Sequence, residues 1–167
     1  AFGRHFIVVG VAVLLALYAL RSWQRIPVWE TNLTLFGAAV ADAPNCARAH
    51  RILALELVDR GRRDEALIHA RESIRIASSK EGFELLGDLY WHRQEGKEAL
   101  SQYRKSFAAG PTSPVLGKLC LALVENRVVP EAVKRCQNAV KVQPKNATVR
   151  FFLGIALGMS GKPVDGL

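Results

Sequence analysis

The chain has 167 residues, half of them hydrophobic, with 23 Lys and Arg against 15 Asp and Glu for a net charge of +8. That length suits one domain of ordinary size. The positive excess is spread along the chain without a Lys/Arg run, which suits an acidic membrane surface or acidic partners. No nucleic-acid motif accompanies it, so no nucleic-acid partner is expected.

Phe6 to Leu20 is fifteen residues without a charge. As a helix it is about 22 Å long, short of the ~30 Å hydrocarbon core. Its flanks extend it. Arg4 and His5 can snorkel on one side, while Arg21, Trp23 and Arg25 fit an interfacial belt on the other. A soluble core helix of this length usually shows a polar stripe, and this one has none. Residues 6–20 are therefore expected to cross a membrane. The competing readings are a buried helix and a signal-peptide core, the latter without a good cleavage site behind it. Basic residues at both ends leave the segment unoriented.

Pro27 is suited to the first turn of a helix. Trp29, Leu33, Phe36, Ala39 and Val40 then recur at three- and four-residue spacing, which predicts an amphipathic helix of about fifteen residues ending at Ala43-Pro44-Asn45. It is expected to act as half a repeat that shields the first complete hairpin.

From Ala47 the chain repeats itself every 33 residues. Leu53, Leu86 and Leu119 mark the period, as do Ala66, Ala99 and Ala132, and Ala70, Tyr103 and Cys136. Pro111 and Pro144 match, with Ser78 at the earlier equivalent place. A fourth copy begins near Ala147, shifted by one residue. One short hairpin cannot bury its own apolar face, whereas stacked copies bury each other's. Ala54 and Gly87 are expected at close helix crossings, opposite Ala66, Ala99 and Ala132. Gly61 and Gly161 supply left-handed turns. The second copy has Gln94-Glu95-Gly96 there, and the third has Asn126-Arg127, of which Asn tolerates the conformation. Pro130 opens a helix with Glu131 in its first turn.

Cys46, Cys120 and Cys136 are too few for a disulfide framework and read as small packing residues. Cys120 and Cys136 face one another within a hairpin, so an oxidising compartment would join them if their Cα atoms lie within about 7 Å. The chain lacks an initiator Met and stops at Asp165-Gly166-Leu167, inside the expected second helix of a repeat. It is read as part of a longer protein.

The repeat resembles the tetratricopeptide repeat. The matching residues are Leu53-Ala54, Leu57, Gly61, Ala66, Ala70 and Ser73 in the first copy. They are Phe83, Leu86-Gly87, Tyr90, Ala99, Tyr103, Ser106 and Pro111 in the second. In the third they are Leu119-Cys120, Leu123, Ala132, Cys136, Ala139 and Pro144. His50, Phe83 and Leu116 stand where the family usually has Trp. The expected fold is all-α: one N-terminal transmembrane helix followed by an α-solenoid of helix-turn-helix repeats. The expected boundaries are 1–25 for the membrane helix, 26–46 for the half repeat, 47–79, 80–112 and 113–146 for three full repeats, and 147–167 for a truncated fourth.

A second resemblance lies at the junction. Arg25, Trp29, Leu35-Phe36, Pro44-Asn45 and Arg48-Ala49-His50 resemble the junction in multi-spanning membrane proteins with C-terminal tetratricopeptide repeats. These include the transmembrane-and-tetratricopeptide proteins, which resemble lipid-linked-sugar glycosyltransferases. That resemblance implies repeats outside the cytoplasm, in the periplasm or a lumen, and a catalytic part in upstream spans.

The tetratricopeptide resemblance implies a protein or peptide ligand on the concave face of the first helices. By register that face presents Arg48, Arg51 and Leu55 from the first copy, then Glu84, Asp88, Trp91 and His92 from the second. Lys118 and Leu121 follow from the third, and Phe151 and Ile155 from the fourth. The family's carboxylate clamp is not reproduced, since Arg51 and Leu55 stand at its first lysine and asparagine positions. The bland reading of each groove residue is a solvated face. Cys46 and His50 are four apart, but no further ligands lie at metal spacing, and His69 and His92 stand alone. No nucleophile elbow or phosphate loop is present. No catalytic residue, metal or cofactor is expected within the chain. The leading reading is a membrane-tethered scaffold, the C-terminal module of a polytopic glycosyltransferase-like protein. The alternatives are a stand-alone single-pass adaptor for envelope assembly or protein traffic and an enzyme within the chain.

Overall fold

The computed structural model describes residues 2–161, with side chains from residue 9 onward. It is 82% helical, and no strand occurs among the described residues. The chain divides into two units, residues 1–45 and 46–167. The side chains of Arg4, His5 and Phe6–Val8, and the expected second helix of the fourth copy after Gly161, lie outside what is described.

In the first unit, α1 (Phe2–Arg25) is one continuous helix of 24 residues. At 1.5 Å per residue it is about 36 Å long, longer than its uncharged stretch because it runs on through Arg21 to Arg25. The stretch Val9–Trp29 has a mean hydropathy of 1.2, and none of it is buried. By length and composition it fits a membrane span or a signal sequence. Val9, Leu14, Leu17 and Leu20 are all more than half exposed.

Pro27 does not open the next α-helix. It belongs to a 3-10 turn, Ile26–Trp29, and α2 spans Asn32–Asp42. The reason is Thr31. Its backbone is extended, and its Oγ1 accepts from the Thr34 N–H at 3.1 Å while the Thr34 Oγ1 accepts from the Thr31 N–H at 3.2 Å. This reciprocal cap satisfies two end donors and fixes the start. Trp29 is thereby excluded from the α2 face and is 69% exposed. Leu33, Phe36 and Val40 are half-buried, and no residue of α2 is fully buried. Arg25 pairs with Asp42 at 2.8 Å within this unit.

The second unit is a helical solenoid. Its hairpins pair α3 (Ala47–Asp59) with α4 (Arg63–Ile76), α5 (Lys80–His92) with α6 (Gly96–Ala109), and α7 (Ser113–Glu125) with α8 (Val129–Val142). A further first-type helix, α9 (Ala147–Met159), follows. Ser79 Oγ caps α5 through the Gly82 N–H, and Asn146 Oδ1 caps α9 through the Val149 N–H. Pro130 lies in the first turn of α8, followed by Glu131. The left-handed residue after each first helix is Gly61, Gln94, Arg127 and Gly161 in order. In the third copy it is Arg127 that takes this conformation, and Asn126 does not. The Asn126 amide instead donates to the Gly96 and Ala122 carbonyls at 3.0 and 2.8 Å, joining the third copy to the second.

The core repeats with the sequence. Ala66, Ala99 and Ala132 are buried where helices cross, and Leu89, Leu119 and Leu123 are almost wholly enclosed. Each such leucine stabilises the fold by about 1.5–3 kcal/mol. A second periodic pair lies sixteen residues apart in every hairpin. The first copy fills it with Ala54 and Ala70, both fully buried. The second uses Gly87 and Tyr103: a Cβ on residue 87 would lie 2.5 Å from the Tyr103 ring. What Gly87 makes room for is therefore the Tyr103 ring, not Ala99. The third uses Cys120 and Cys136, joined in a disulfide with Cα atoms 5.0 Å apart. The reading of three packing cysteines is corrected on this point, and Cys46 is exposed and free.

The first carbonyl of α3, α5 and α7 also receives a bond from the hairpin partner. Ser73 Oγ donates to Ala47 O at 2.8 Å, and Ser106 Oγ donates to Lys80 O at 2.9 Å. The third copy has Ala139 at that place, and the Gln143 amide donates to Ser113 O instead.

Candidate functional site

Residues two, five and nine of each first helix lie on one face, as helical periodicity requires. Between α3 and α5 this face holds a hollow of about 210 Å³ lined by Arg51, Leu55, Glu81, Glu84, Leu85 and Asp88. Between α7 and α9 it holds a larger one, about 580 Å³, which Gly117, Lys118 and Leu121 help to line. Lys118 stands between them. Its Nζ donates to Glu84 Oε1 and to Asp88 Oδ2, both at 2.7 Å. Tyr103 OH, from the neighbouring α6, donates to Asp88 Oδ1 at 2.8 Å.

The electrostatics follow from that geometry. Burial acts to lower the Lys118 pKa, but the hydrogen bonds to Asp88 and Glu84 outweigh it and hold the ammonium above its ordinary value. Burial, then the Asp88 charge, pushes the Tyr103 phenol far up, so it stays a neutral donor. All four groups are thus committed to one another across α5, α6 and α7. Arg51, by contrast, is half-buried in the first hollow and forms no ion pair with a carboxylate among the described residues.

The structure brings together Arg51, Leu55, Glu84 and Asp88, and then Lys118 and Leu121. It does not gather the other expected groove residues with them. Trp91 packs on the core and lines a separate hollow of about 630 Å³ beside the turn residues Gln94 and Asn126. His92 and Arg48 are exposed and line none of these hollows. Phe151 is 65% exposed, with its ring edge-on to Phe152, and Ile155 packs against the core. Sequence reasoning missed Glu81, Gly117 and Tyr103. The register held the signal for two of them. Glu81 is the equivalent of Arg48, and Gly117 the equivalent of Arg51 and Glu84.

The histidines also differ from expectation. His69 does not stand alone: its Nδ1 lies 3.0 Å from His50 Nδ1, across α3 and α4. Burial and the nearby His50 lower the His69 pKa, with Glu65 acting against them. Among the described residues no group of three or more His, Cys, Asp or Glu side chains is placed to hold a metal ion.

A family model for the tetratricopeptide repeat matches residues 33–81. Solved structures share the fold. The structure of YrrB, described as a TPR protein with an unusual peptide-binding site, superposes with a TM-score of 0.70 at 22% identity, over 75% of this chain and 66% of that one. MamA gives 0.70 at 16% identity, over 77% of each chain. Naa15/Naa10 bound to HypK-THB gives 0.64 at 21% identity, over 85% of this chain and 22% of that one. No curated protein shows a significant match to the sequence. The chain has the tetratricopeptide-repeat fold, a fold suited to holding protein partners.

Proposed function

We propose that this chain is a membrane-tethered, non-catalytic scaffold that binds an extended protein or peptide segment along the concave face of α3, α5, α7 and α9. The observation that carries the reading is the pair of hollows on that one face, between successive first helices. The solved relatives add support: one is described by its peptide-binding site, and another is bound to HypK. A scaffold of this kind offers surface and register rather than a reaction.

The tether is α1 with the 3-10 turn that follows it, which together hold the 21-residue stretch Val9–Trp29, long enough for a span. On this reading the repeats lie outside the cytoplasm. The buried Cys120–Cys136 disulfide supports this, because such bonds persist in oxidising compartments. The family match begins at residue 33, inside α2, which supports counting 26–46 as half a repeat ahead of three full repeats at 47–79, 80–112 and 113–146 and a truncated fourth at 147–167. The junction around Arg25, Trp29 and Pro44-Asn45 supports a parent protein of the polytopic, glycosyltransferase-like kind.

Cys46 offers a direct test, being exposed and free. A membrane-impermeant maleimide given access to the periplasm or the lumen, but not to the cytosol, is expected to label it. Labelling that needs access to the cytosol would overturn the extracytoplasmic placement. The binding claim is tested by selecting twelve-residue peptides from a random library on the full chain. A scaffold of this kind yields binders that compete for one site.

A further inference from the structure

The hollow between α7 and α9 differs from its counterpart between α3 and α5, and the difference is chemical. Position five of the first helix is Arg51 in the first copy and Glu84 in the second, but Gly117 in the third. The absent side chain opens the floor. A Cβ on residue 117 would meet Val149 Cγ2 at 3.5 Å, an ordinary contact, so the glycine is not forced by crowding. Pro114, Leu121 and the buried Val149 supply apolar wall.

Of the polar side chains at the rim, Gln143 and Asn146 are already spoken for, which leaves only the uncharged hydroxyls of Ser113 and Thr148. The Gln143 amide donates to Ser113 O, and the Asn146 amide donates to Gln143 Oε1 at 2.7 Å. Asn146 Oδ1 accepts the Val149 N–H. Lys118 also lines the hollow, but its ammonium is held on the far side by Glu84 and Asp88. Its methylene stem, not its charge, faces the space. What remains is an uncharged cleft of about 580 Å³, within the ~300–1,000 Å³ range of ligand sites. A carboxylate or ammonium placed there would find no counter-charge, whereas an apolar side chain would be desolvated against apolar walls.

We infer that this cleft is the specificity site of the groove and takes one bulky aliphatic or aromatic side chain of an extended peptide. The inference rests on the peptide-binding reading above and sharpens it. Lys118 is a positioning residue: Glu84 and Asp88 keep its charge out of the cleft.

The test uses peptides selected from the random library on the full chain, labelled and followed by fluorescence anisotropy. Alanine replacement of one bulky apolar peptide residue is expected to weaken binding at least tenfold. Gly117→Leu, which fills the cleft, is expected to weaken it as much while the circular-dichroism melting midpoint is retained. Leu121→Ser, on the opposite wall, guards against a folding artefact and is expected to act in the same direction. Ile68→Ala, on the exposed face of α4, is expected to leave affinity within twofold. Peptides that bind wild type, Gly117→Leu and Leu121→Ser equally would overturn the cleft assignment and leave the groove reading standing. A library that yields no binder would overturn both.

Discussion

Cys120 and Cys136 form a disulfide at the place where the preceding repeat seats Tyr103 against Gly87. The first repeat fills the same place with Ala54 and Ala70. Three chemistries therefore close one gap: two methyl groups, a ring over a glycine, and a covalent bond. The crosslink spans 16 residues. Closing a loop of that size in the unfolded chain is worth about 3 kcal/mol. The double variant Cys120→Ala/Cys136→Ala copies the first repeat's pair. It is expected to lower the unfolding free energy by about that amount in urea titrations, and reducing agent is expected to affect only the wild type. A urea midpoint that reduction leaves unmoved would count against the crosslink.

Gly87→Ala is expected to destabilise the second repeat by about 1–3 kcal/mol through overpacking. Helix propensity alone points the other way, by ~1 kcal/mol in favour of alanine. The sign of the change thus decides which effect wins. The ring cannot simply swing aside, because its hydroxyl is bonded to Asp88. Adding Tyr103→Ala to Gly87→Ala recreates the Ala54/Ala70 arrangement, so the two losses should be less than additive. Strict additivity in thermal unfolding would show that residue 87 and the ring do not share the gap.

Gln94 and Arg127 hold φ of 61° and 56° where Gly61 and Gly161 hold 75° and 68°. A side chain in that region costs about 1–2 kcal/mol relative to the right-handed form. Gln94→Gly and Arg127→Gly are each expected to raise stability, by about 1 kcal/mol. Neither side chain lines the two hollows of the groove face, so peptide affinity should not change. A fall in the unfolding midpoint for both would show that contacts of these side chains outweigh the backbone strain.

Sequence reasoning reached the fold because the repeat is written in small and large apolar residues at fixed spacing, from Leu53 to Leu119. It misplaced the start of α2 because Pro27 and Thr31 are both good helix openers, and only the Thr31–Thr34 reciprocal cap decides between them. Of the residues it set on one face, the structure gathers Arg51, Leu55, Glu84 and Asp88 around one hollow and Lys118 and Leu121 around another. Register says that Lys118 and Asp88 share a surface. It cannot say that an ammonium reaches from α7 to α5, since that depends on rotamers and helix spacing. Gly117 was missed for a plainer reason: register marks its place as the equivalent of Arg51 and Glu84, but the feature there is a missing side chain.

His69, whose Nδ1 lies 3.0 Å from His50 Nδ1, gives a pH dependence of definite sign. His69 is held below its ordinary value by burial, then by His50. The unfolded chain therefore binds protons more readily, and stability is full above the ordinary histidine value of about 6.5 and falls as pH drops below it. Glu65 and Glu72 sit close enough to temper the effect but are engaged by Arg62 and Arg75. His69→Gln should flatten the profile between pH 7 and 5 in urea titrations. A wild-type profile that is level over that range would show that His69 makes no such contribution.

The disulfide also has a mechanical meaning. In a linear array each repeat can be drawn out separately by a force on the two ends. The 16-residue separation between Cys120 and Cys136 cannot contribute while the bond is closed. At ~3.3 Å per extended residue, that withholds about 50 Å of contour length. The third repeat, which carries the cleft at Gly117, then gives up less length under tension than the two before it.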